Sequence, residues 1–460
     1  MYFKQIQVQG LGCFSYILGC PAKGEMIVVD PKRDIDDYLT VAREEGMRIT
    51  HIIDTHVHAD HVSGAHELAA RTGAPICMHP DTPAQFAFTP LPEGTVLEAG
   101  AARLRVLHTP GHTPHSISLL VSDLLRSPDP WMILTGDLLF VGDIGRPDLV
   151  GEDVLEEQVQ NLYTSLFVKL AALPDHLEVY PSHGSGSLCG KGMSPKPSST
   201  LGYERRHNPS LQHASFESFS AAMGRDFPER PKSFTHIIST NAHGAQLLER
   251  CPLEQALSVE DFDRFMTEGA TVIDTRNGAA FGGAHIPGSL NIGFEKQLAN
   301  WVGTVVAPDA RILLVVDGRD DFVAMRTELH RIGYDNIIGY LAGGIQSWIF
   351  SGRQVDRLEQ ISAPELKRRI ADGSAPILLD VRTVAEWDQG RIAGSHHLPL
   401  TDILASCCSL PTDTEIVVCC GTGYRSNMAG SFLMNSGYDK VACLAGGTLS
   451  WMRGGFPLEQ

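Results

Sequence analysis

No run of apolar residues in this 460-residue chain approaches the ~20 needed to cross a bilayer, so no membrane span is expected. Positive charge is scarce as well: 37 Lys and Arg stand against 54 Asp and Glu, a formal charge of -17. A nucleic-acid partner would want a basic face, and none is expected from this balance. The start, Met1-Tyr2-Phe3-Lys4-Gln5, lacks a basic segment followed by an apolar one, so no secretory signal is read there. The ten cysteines, at 13, 20, 77, 189, 251, 407, 408, 419, 420 and 443, show neither a CxxC zinc spacing nor a disulfide framework. Reduced thiols in a cytoplasmic protein are the expectation.

What is present is an ordinary globular composition, 43% hydrophobic and 20% charged. The length exceeds one ordinary core, so two to about four domains are expected. A repeat organises the C-terminal half. Val272-Ile273-Asp274-Thr275-Arg276 recurs as Leu378-Leu379-Asp380-Val381-Arg382, and Leu341-Ala342-Gly343-Gly344…Trp348 recurs as Leu444-Ala445-Gly446-Gly447…Trp451. Each copy is a domain of about a hundred residues rather than a solenoid unit. Ser258 with Asp261, and Ser362 with Glu365, mark helix starts near the beginning of each copy. Short Val/Ile/Leu runs alternating with helical patterns indicate α/β units with mostly parallel sheets. Residues 351–356 read as a linker. Residues 182–211 form a long Gly/Ser/Pro-rich stretch, of the kind that is usually functional or mobile.

The densest chemistry lies in Thr55-His56-Val57-His58-Ala59-Asp60-His61, just past the strand-like run Arg48–Asp54. Imidazole and carboxylate are the usual ligands of zinc and non-haem iron, and a strand end delivers them to one loop. A histidine-rich polar turn is the plain alternative, but four such donors in six residues argue for a metal. His112 in Gly111-His112-Thr113, Asp137 after Gly136, and His183 after Ser182 each follow an apolar run. Singly they are loop histidines or a turn aspartate. Together one sheet rim could gather them.

The second copy carries Cys419-Cys420-Gly421-Thr422-Gly423-Tyr424-Arg425-Ser426 between a strand and a helical pattern starting near Met428. Gly421 and Gly423 let backbone N–H groups turn inward as an anion nest. A helix N-terminus and Arg425 add positive potential. These features favour a Cys420 thiolate able to attack and carry sulfur, whereas Cys419 should simply pack. Aligning Val315-Val316-Asp317-Gly318 with Val418-Cys419-Cys420-Gly421 puts Asp317 at the nucleophile position and Phe322 at that of Arg425. The first copy is therefore expected to be catalytically silent.

These motifs carry two resemblances. His-x-His-x-Asp-His with Gly-His-Thr, Gly-Asp and a later histidine resembles the metallo-β-lactamase superfamily, and in detail its persulfide dioxygenase branch, whose neighbour is the glyoxalase II branch. Cys-x-x-Gly-x-Arg-Ser, with Asp380-Val381-Arg382, the Glu386/Trp387 stretch and Gly446-Gly447…Trp451, resembles the rhodanese sulfurtransferases. The implied architecture is an αββα sandwich (1–248), a rhodanese-like domain lacking its cysteine (252–355) and an active rhodanese domain (358–460).

The resemblance implies one Fe(II) per chain on His56, His112 and Asp137, with His58, Asp60, His61 and His183 behind these ligands, orienting them and handling protons. Asp60, His61 and His183 could equally hold a second metal, so two zinc or iron ions serving a glyoxalase II-like thioester hydrolase stay open. The implied substrates are small persulfides on glutathione, coenzyme A or another thiol carrier, with O2; the products are sulfite and then thiosulfate. Cys420 and Arg425 would carry sulfur transfer, cradled by Gly421, Thr422, Gly423 and Tyr424. A homo-oligomer is expected, and a non-catalytic persulfide sensor or sulfur carrier is a further alternative. Cys189 and Cys20 are candidate auxiliary thiols, with an ordinary loop cysteine an equal reading for Cys189. Arg205 and Arg206 read as an ordinary solvated charge pair, with contact to an acidic thiol carrier the alternative, and His66 and His115 read as ordinary surface or core histidines.

Overall fold

The computed structural model describes every residue except 9, 214, 224–229, 252–254, 373–375, 406–409 and 411–413. The chain divides into two compact units, Met1–Arg250 with Leu329–Gly333, and Cys251–Glu328 with Tyr334–Gln460.

Strand alternation builds the first unit. In the strand Glu25–Val29, Met26 and Val28 enter one core while Ile27 and Val29 enter another. Successive strand side chains point to opposite faces, so a strand apolar throughout must be covered on both. The same holds in the opposing sheet, where Leu119 and Val121 face one core and Leu120 the other. Two six-stranded sheets result. One contains the adjacent strands Cys13–Cys20, Glu25–Val29 and Arg48–Ile53, and the other contains Ala102–His108, Ile117–Asp123, Met132–Gly136 and Glu178–Pro181. Their facing surfaces share the core of Tyr16, Leu18, Ile27, Leu104, Leu119 and Leu134. The outer faces are covered by apolar residues of helices Asp36–Glu44 and Ala65–Thr72 on one side, and Leu155–Thr164 on the other. This is the expected αββα layering.

In the second unit two five-stranded sheets have one topology. Numbering strands within each copy, the order is 1-5-4-2-3 in both, and every pairing is parallel. The expected caps form: Ser258 accepts from the Asp261 amide, and Ser362 from the Glu365 amide. The reciprocal capping box occurs instead at Thr383 and Glu386.

The repeated motifs do the same structural work in both copies. Asp274 grips Arg276, which also donates to the Ala284 carbonyl; Asp380 grips Arg382, which donates to the Gly390 carbonyl. Trp348 and Trp451 each donate an indole N–H to a carbonyl six residues on.

Sheet register corrects one expectation. Asp274 pairs with Val315 where Asp380 pairs with Cys419, so the residue equivalent to Cys420 is Val316, not Asp317. The glycine pairs agree. A Cβ on Gly344 would meet the Val316 carbonyl, as one on Gly447 would meet that of Cys420. The first copy's loop is one residue shorter, and its helix starts at Arg319, placing Asp320 rather than Phe322 where Arg425 stands. Phe322 is buried. Valine, like aspartate, forms no persulfide.

Candidate active sites

The strand Arg48–Ile53 delivers His56 and its neighbours to the sandwich rim, and the ends of Ala102–His108, Met132–Gly136 and Glu178–Pro181 bring His112, Asp137 and His183 to the same place. Donor atoms of His56, His112 and Asp137 lie within 4.8 Å of one another, all buried. His56 Nε2 and His112 Nε2 stand 3.8 and 3.5 Å from Asp137 Oδ2. Each histidine is held by its other nitrogen: His112 Nδ1 donates to the Arg146 carbonyl at 2.9 Å, and His56 Nδ1 is 3.0 Å from Thr55 Oγ1. Burial, with His58 and His112 nearby, pushes His56 well below the ordinary imidazole range, so it is neutral with a lone pair to give. His56 Nε2 and Asp137 Oδ2 are buried with no hydrogen-bond partner. Orphaned buried atoms are costly unless something else meets them, and these converge as ligands of one ion would.

His58 uses one ring nitrogen elsewhere, while its Nδ1 is buried with no hydrogen-bond partner. Its Nε2 lies 3.2 Å from Asp30 Oδ1, and Asp30 also accepts from the Thr55 amide, Thr55 Oγ1 and Ser182 Oγ. Burial alone would raise the Asp30 carboxyl, yet His58 and these donors hold it below the ordinary range.

A second donor group joins Cys13, Asp60, His61 and His183. His183 Nδ1 donates to Asp137 Oδ1 at 2.6 Å, while its Nε2 sits 2.8 Å from Asp60 Oδ2, misaligned for a hydrogen bond. His61 Nδ1 is 3.1 Å from Asp60 Oδ1 and 3.6 Å from Cys13 Sγ. Burial would lower His61, but Cys13 and Asp60 push it up to about 10.

In the second unit the helix after Cys420 begins at Tyr424, earlier than its apolar pattern suggested. Its first turn therefore abuts the thiol. The Gly423 and Ser426 amides point at Cys420 Sγ from 3.2 and 3.4 Å, a nest for a sulfur anion. Gly447 presses on the back of this loop, where a Cβ would come 2.2 Å from the Cys420 carbonyl, and its φ is +58°. Only glycine fits there. Cys419 is fully buried in the core, as expected.

Comparison with known proteins agrees with both halves. The metallo-beta-lactamase superfamily profile matches residues 8–183, and the rhodanese-like domain profile matches 258–350 and 362–453. A crystal structure of a metallo-beta-lactamase from Staphylococcus aureus subsp. aureus COL is 34% identical, superposes with a TM-score of 0.67, and the match covers 74% of this chain and 99% of that one. The chain belongs to the metallo-β-lactamase superfamily and carries two rhodanese-like domains.

The relatives of this metallo-β-lactamase–rhodanese chain that bear functional names include the following. A persulfide dioxygenase ETHE1, mitochondrial, from Bos taurus is 27% identical over 50% of this chain and 82% of its own. A hydroxyacylglutathione hydrolase from Polaromonas sp. is 34% identical over 37% of this chain and 61% of its own. A sulfurtransferase from Allochromatium vinosum is 37% identical over 22% of this chain and 94% of its own. Among the described residues no helix is long and apolar enough to cross a membrane.

The metallo-β-lactamase–rhodanese structure separates the two auxiliary thiols. Cys189 Sγ groups with Asp137 and His183, fully buried. Cys20 ends its strand against Gly100 and joins none of the donor groups among the described residues. Arg205 is spent on Asp175 and the Leu170 and Leu173 carbonyls, and Arg206 on the Gly202 carbonyl. His115 proves to be a buried support whose Nε2 accepts from the Val57 amide.

Sequence reading missed Cys13, Asp30, Asn241 and Gly145. Asn241 donates to the His58 and His61 carbonyls from about 180 residues downstream, a contact no local pattern announces. Gly145 packs so closely that a Cβ would sit 1.8 Å from the Asp137 carbonyl and 3.3 Å from His112 Cβ. Asp30 did leave a signal: it ends an apolar strand, like Asp137's approach.

Proposed function

We propose that this chain is an iron-dependent persulfide dioxygenase joined to a rhodanese sulfurtransferase, with the domains at 1–248, 252–355 and 358–460. The observation that carries the first half is the grouping of His56, His112 and Asp137, with His56 Nε2 and Asp137 Oδ2 buried and unpartnered. These three form a set of two imidazoles and one carboxylate, the donor pattern of a facial triad with open positions. Those three residues would hold the ion, and Fe(II) there supplies redox chemistry with O2 and affinity for a substrate sulfur. His112 and His56 are aimed by the Arg146 carbonyl and Thr55, and His183, between Asp137 and Asp60, is placed to hold a proton at Nδ1. The net change is R–S–SH + O2 + H2O giving R–SH, sulfite and two protons.

The second half rests on the Cys420 loop. A Cys420 thiolate attacks the outer sulfur of a second persulfide, displacing the carrier thiolate and leaving a Cys420 persulfide. Sulfite then takes that sulfur as thiosulfate, regenerating the thiolate. The loop amides hold the anion in both states. Carrying both sites on one chain raises the effective concentration of sulfite for the second. The Bos taurus and Allochromatium vinosum relatives support this pairing of activities.

The Cys13/Asp60/His61/His183 group favours a second reading, a binuclear thioester hydrolase, which the Polaromonas relative also supports. Anaerobic purification, metal analysis and O2 uptake on adding glutathione persulfide test the choice. About one iron per chain with O2 consumed is expected for a facial triad. Two metals per chain, no O2 uptake and turnover of a glutathione thioester would sink the dioxygenase reading.

A further inference from the structure

Beside the Cys420 loop lies a cavity of about 410 Å³ whose lining comes from both rhodanese-like domains. The catalytic copy supplies Thr422, Gly423, Tyr424 and Asn427; the silent copy supplies Asn277, Phe294 and Glu295 among others. Glu295 is the one acid in the lining, which contains no Lys, Arg or His. Its carboxylate sits close enough to Tyr424 to help raise that phenol. Among the described residues it meets no hydrogen-bond donor or cation. The lining amides, by contrast, are occupied: Asn277 caps a helix, and Asn427 bonds the Gly423 carbonyl and Gln360. Phe294 is 45% exposed, unusual for so large an apolar side chain.

The segment bearing these two residues is braced rather than loose. Tyr424 donates to the Gly293 carbonyl at 3.0 Å. The Asn291 amide bonds Ser431 on the catalytic helix, and the Asn291 side chain bonds the Asp274 and Asp274-strand neighbour Arg276 carbonyls. The silent copy has thus lost its nucleophile and kept a rigid wall against the other copy's loop.

We propose that this cavity seats the thiol-carrier portion of the persulfide that loads Cys420, and that Glu295 selects carriers bearing a primary ammonium group, with Phe294 covering their aliphatic part. The ligand class is amino-acid-type thiols, and the proposal rests on the sulfur-transfer reading of Cys420. The step it serves is Cys420–S⁻ + R–S–SH giving Cys420–S–SH + R–S⁻, in which the carrier leaves as the thiolate. A carrier with a positive end is attracted to a wall with one unpaired carboxylate, and a purely anionic donor is not.

The test uses the full chain and cysteine persulfide against its N-acetyl analogue, which lacks the ammonium. The wild type is expected to favour the amine-bearing donor in kcat/KM by about fivefold, the size of one exposed ion pair. Glu295→Gln should bring the ratio near one and Glu295→Lys should invert it. Binding of S-methylcysteine and its N-acetyl form, measured calorimetrically on Cys420→Ser with and without each Glu295 change, gives a readout free of turnover, and the preference for the amine-bearing form should shrink in parallel. An unchanged ratio and unchanged binding in both Glu295 variants would overturn the proposal. Failure of mass spectrometry to find a Cys420 persulfide with any donor would overturn the sulfur-transfer reading itself, whatever the binding data show.

Discussion

Arg425 is forked onto Glu386, its two terminal nitrogens 2.7 and 2.6 Å from the carboxylate oxygens, while Cys420 Sγ is met by the Gly423 and Ser426 amides. The guanidinium therefore helps hold the loop and acts on the sulfur through space. Arg425→Lys keeps the charge and loses the two-pronged geometry. Sulfur transfer should fall about tenfold in kcat/KM, as for a lost charge-assisted hydrogen bond, with the fold unchanged by circular dichroism. Hydrogen bonds from Arg425 hold the Glu386 carboxyl down at about 2, from an ordinary 4.5. A depressed carboxylate stabilises the fold above its unfolded pKa and loses that contribution as pH falls toward 2. Because the pair is partly exposed, its worth is about 1 kcal/mol. Denaturant midpoints of wild type and Glu386→Gln should differ at pH 7 and converge near pH 2–3 (about the folded pKa).

The register that equates Val316 with Cys420 leaves the middle domain without a sulfur nucleophile. Cys420→Ser should accordingly abolish thiosulfate formation, and O2 uptake at the metal site should continue. Residual sulfur transfer in Cys420→Ser, removed by a further change in residues 258–350, would show that the middle domain is active after all.

The two rhodanese-like copies were legible because similar motifs recur, and the metal rim because four donors crowd six residues. What local sequence does not carry is pairing register and contacts between distant segments. The shift from Asp317 to Val316 follows from a loop shorter by one residue, which only the sheet reveals. Asn241 and Cys13 reach the rim from far along the chain. The engagement of Arg425 with Glu386 is likewise invisible in a motif that names both residues and not their contact.

Gly145 touches the backbone behind two expected ligands without being one. Gly145→Ala would drive its Cβ to 1.8 Å from the Asp137 carbonyl, so the backbone must move. Iron affinity should fall about 10- to 100-fold, the scale seen when groups supporting metal ligands are lost. A competition titration with a chelator measures it; unchanged affinity would show that the rim relaxes freely.

Cys189 is fully buried, and that burial, followed by the charge of Asp60, pushes its thiol well above the ordinary range. It should stay protonated at pH 8 and resist iodoacetamide in the native protein, labelling only as pH rises further or after denaturation. Peptide mapping resolves it from Cys420. Rapid native labelling at neutral pH would instead mark Cys189 as a thiolate able to join the chemistry.

Asp30 gathers His58, Thr55 and Ser182, and is the only non-glycine residue with positive φ, at 50°, among those described. A residue held in that conformation by three sets of bonds is strained locally and fixed by its surroundings. Asp30→Ala leaves His58 buried without its partner, a loss of about 1–3 kcal/mol for a buried donor left unsatisfied. It also frees His58 to swing toward His56, whose ring centroid is 4.2 Å away. Beyond a lower melting temperature, the variant should therefore show an altered iron spectrum, as a third imidazole competes for the ion. If the melting temperature falls and the spectrum of the loaded protein stays that of the wild type, Asp30 stabilises the rim but does not decide which histidines face the metal.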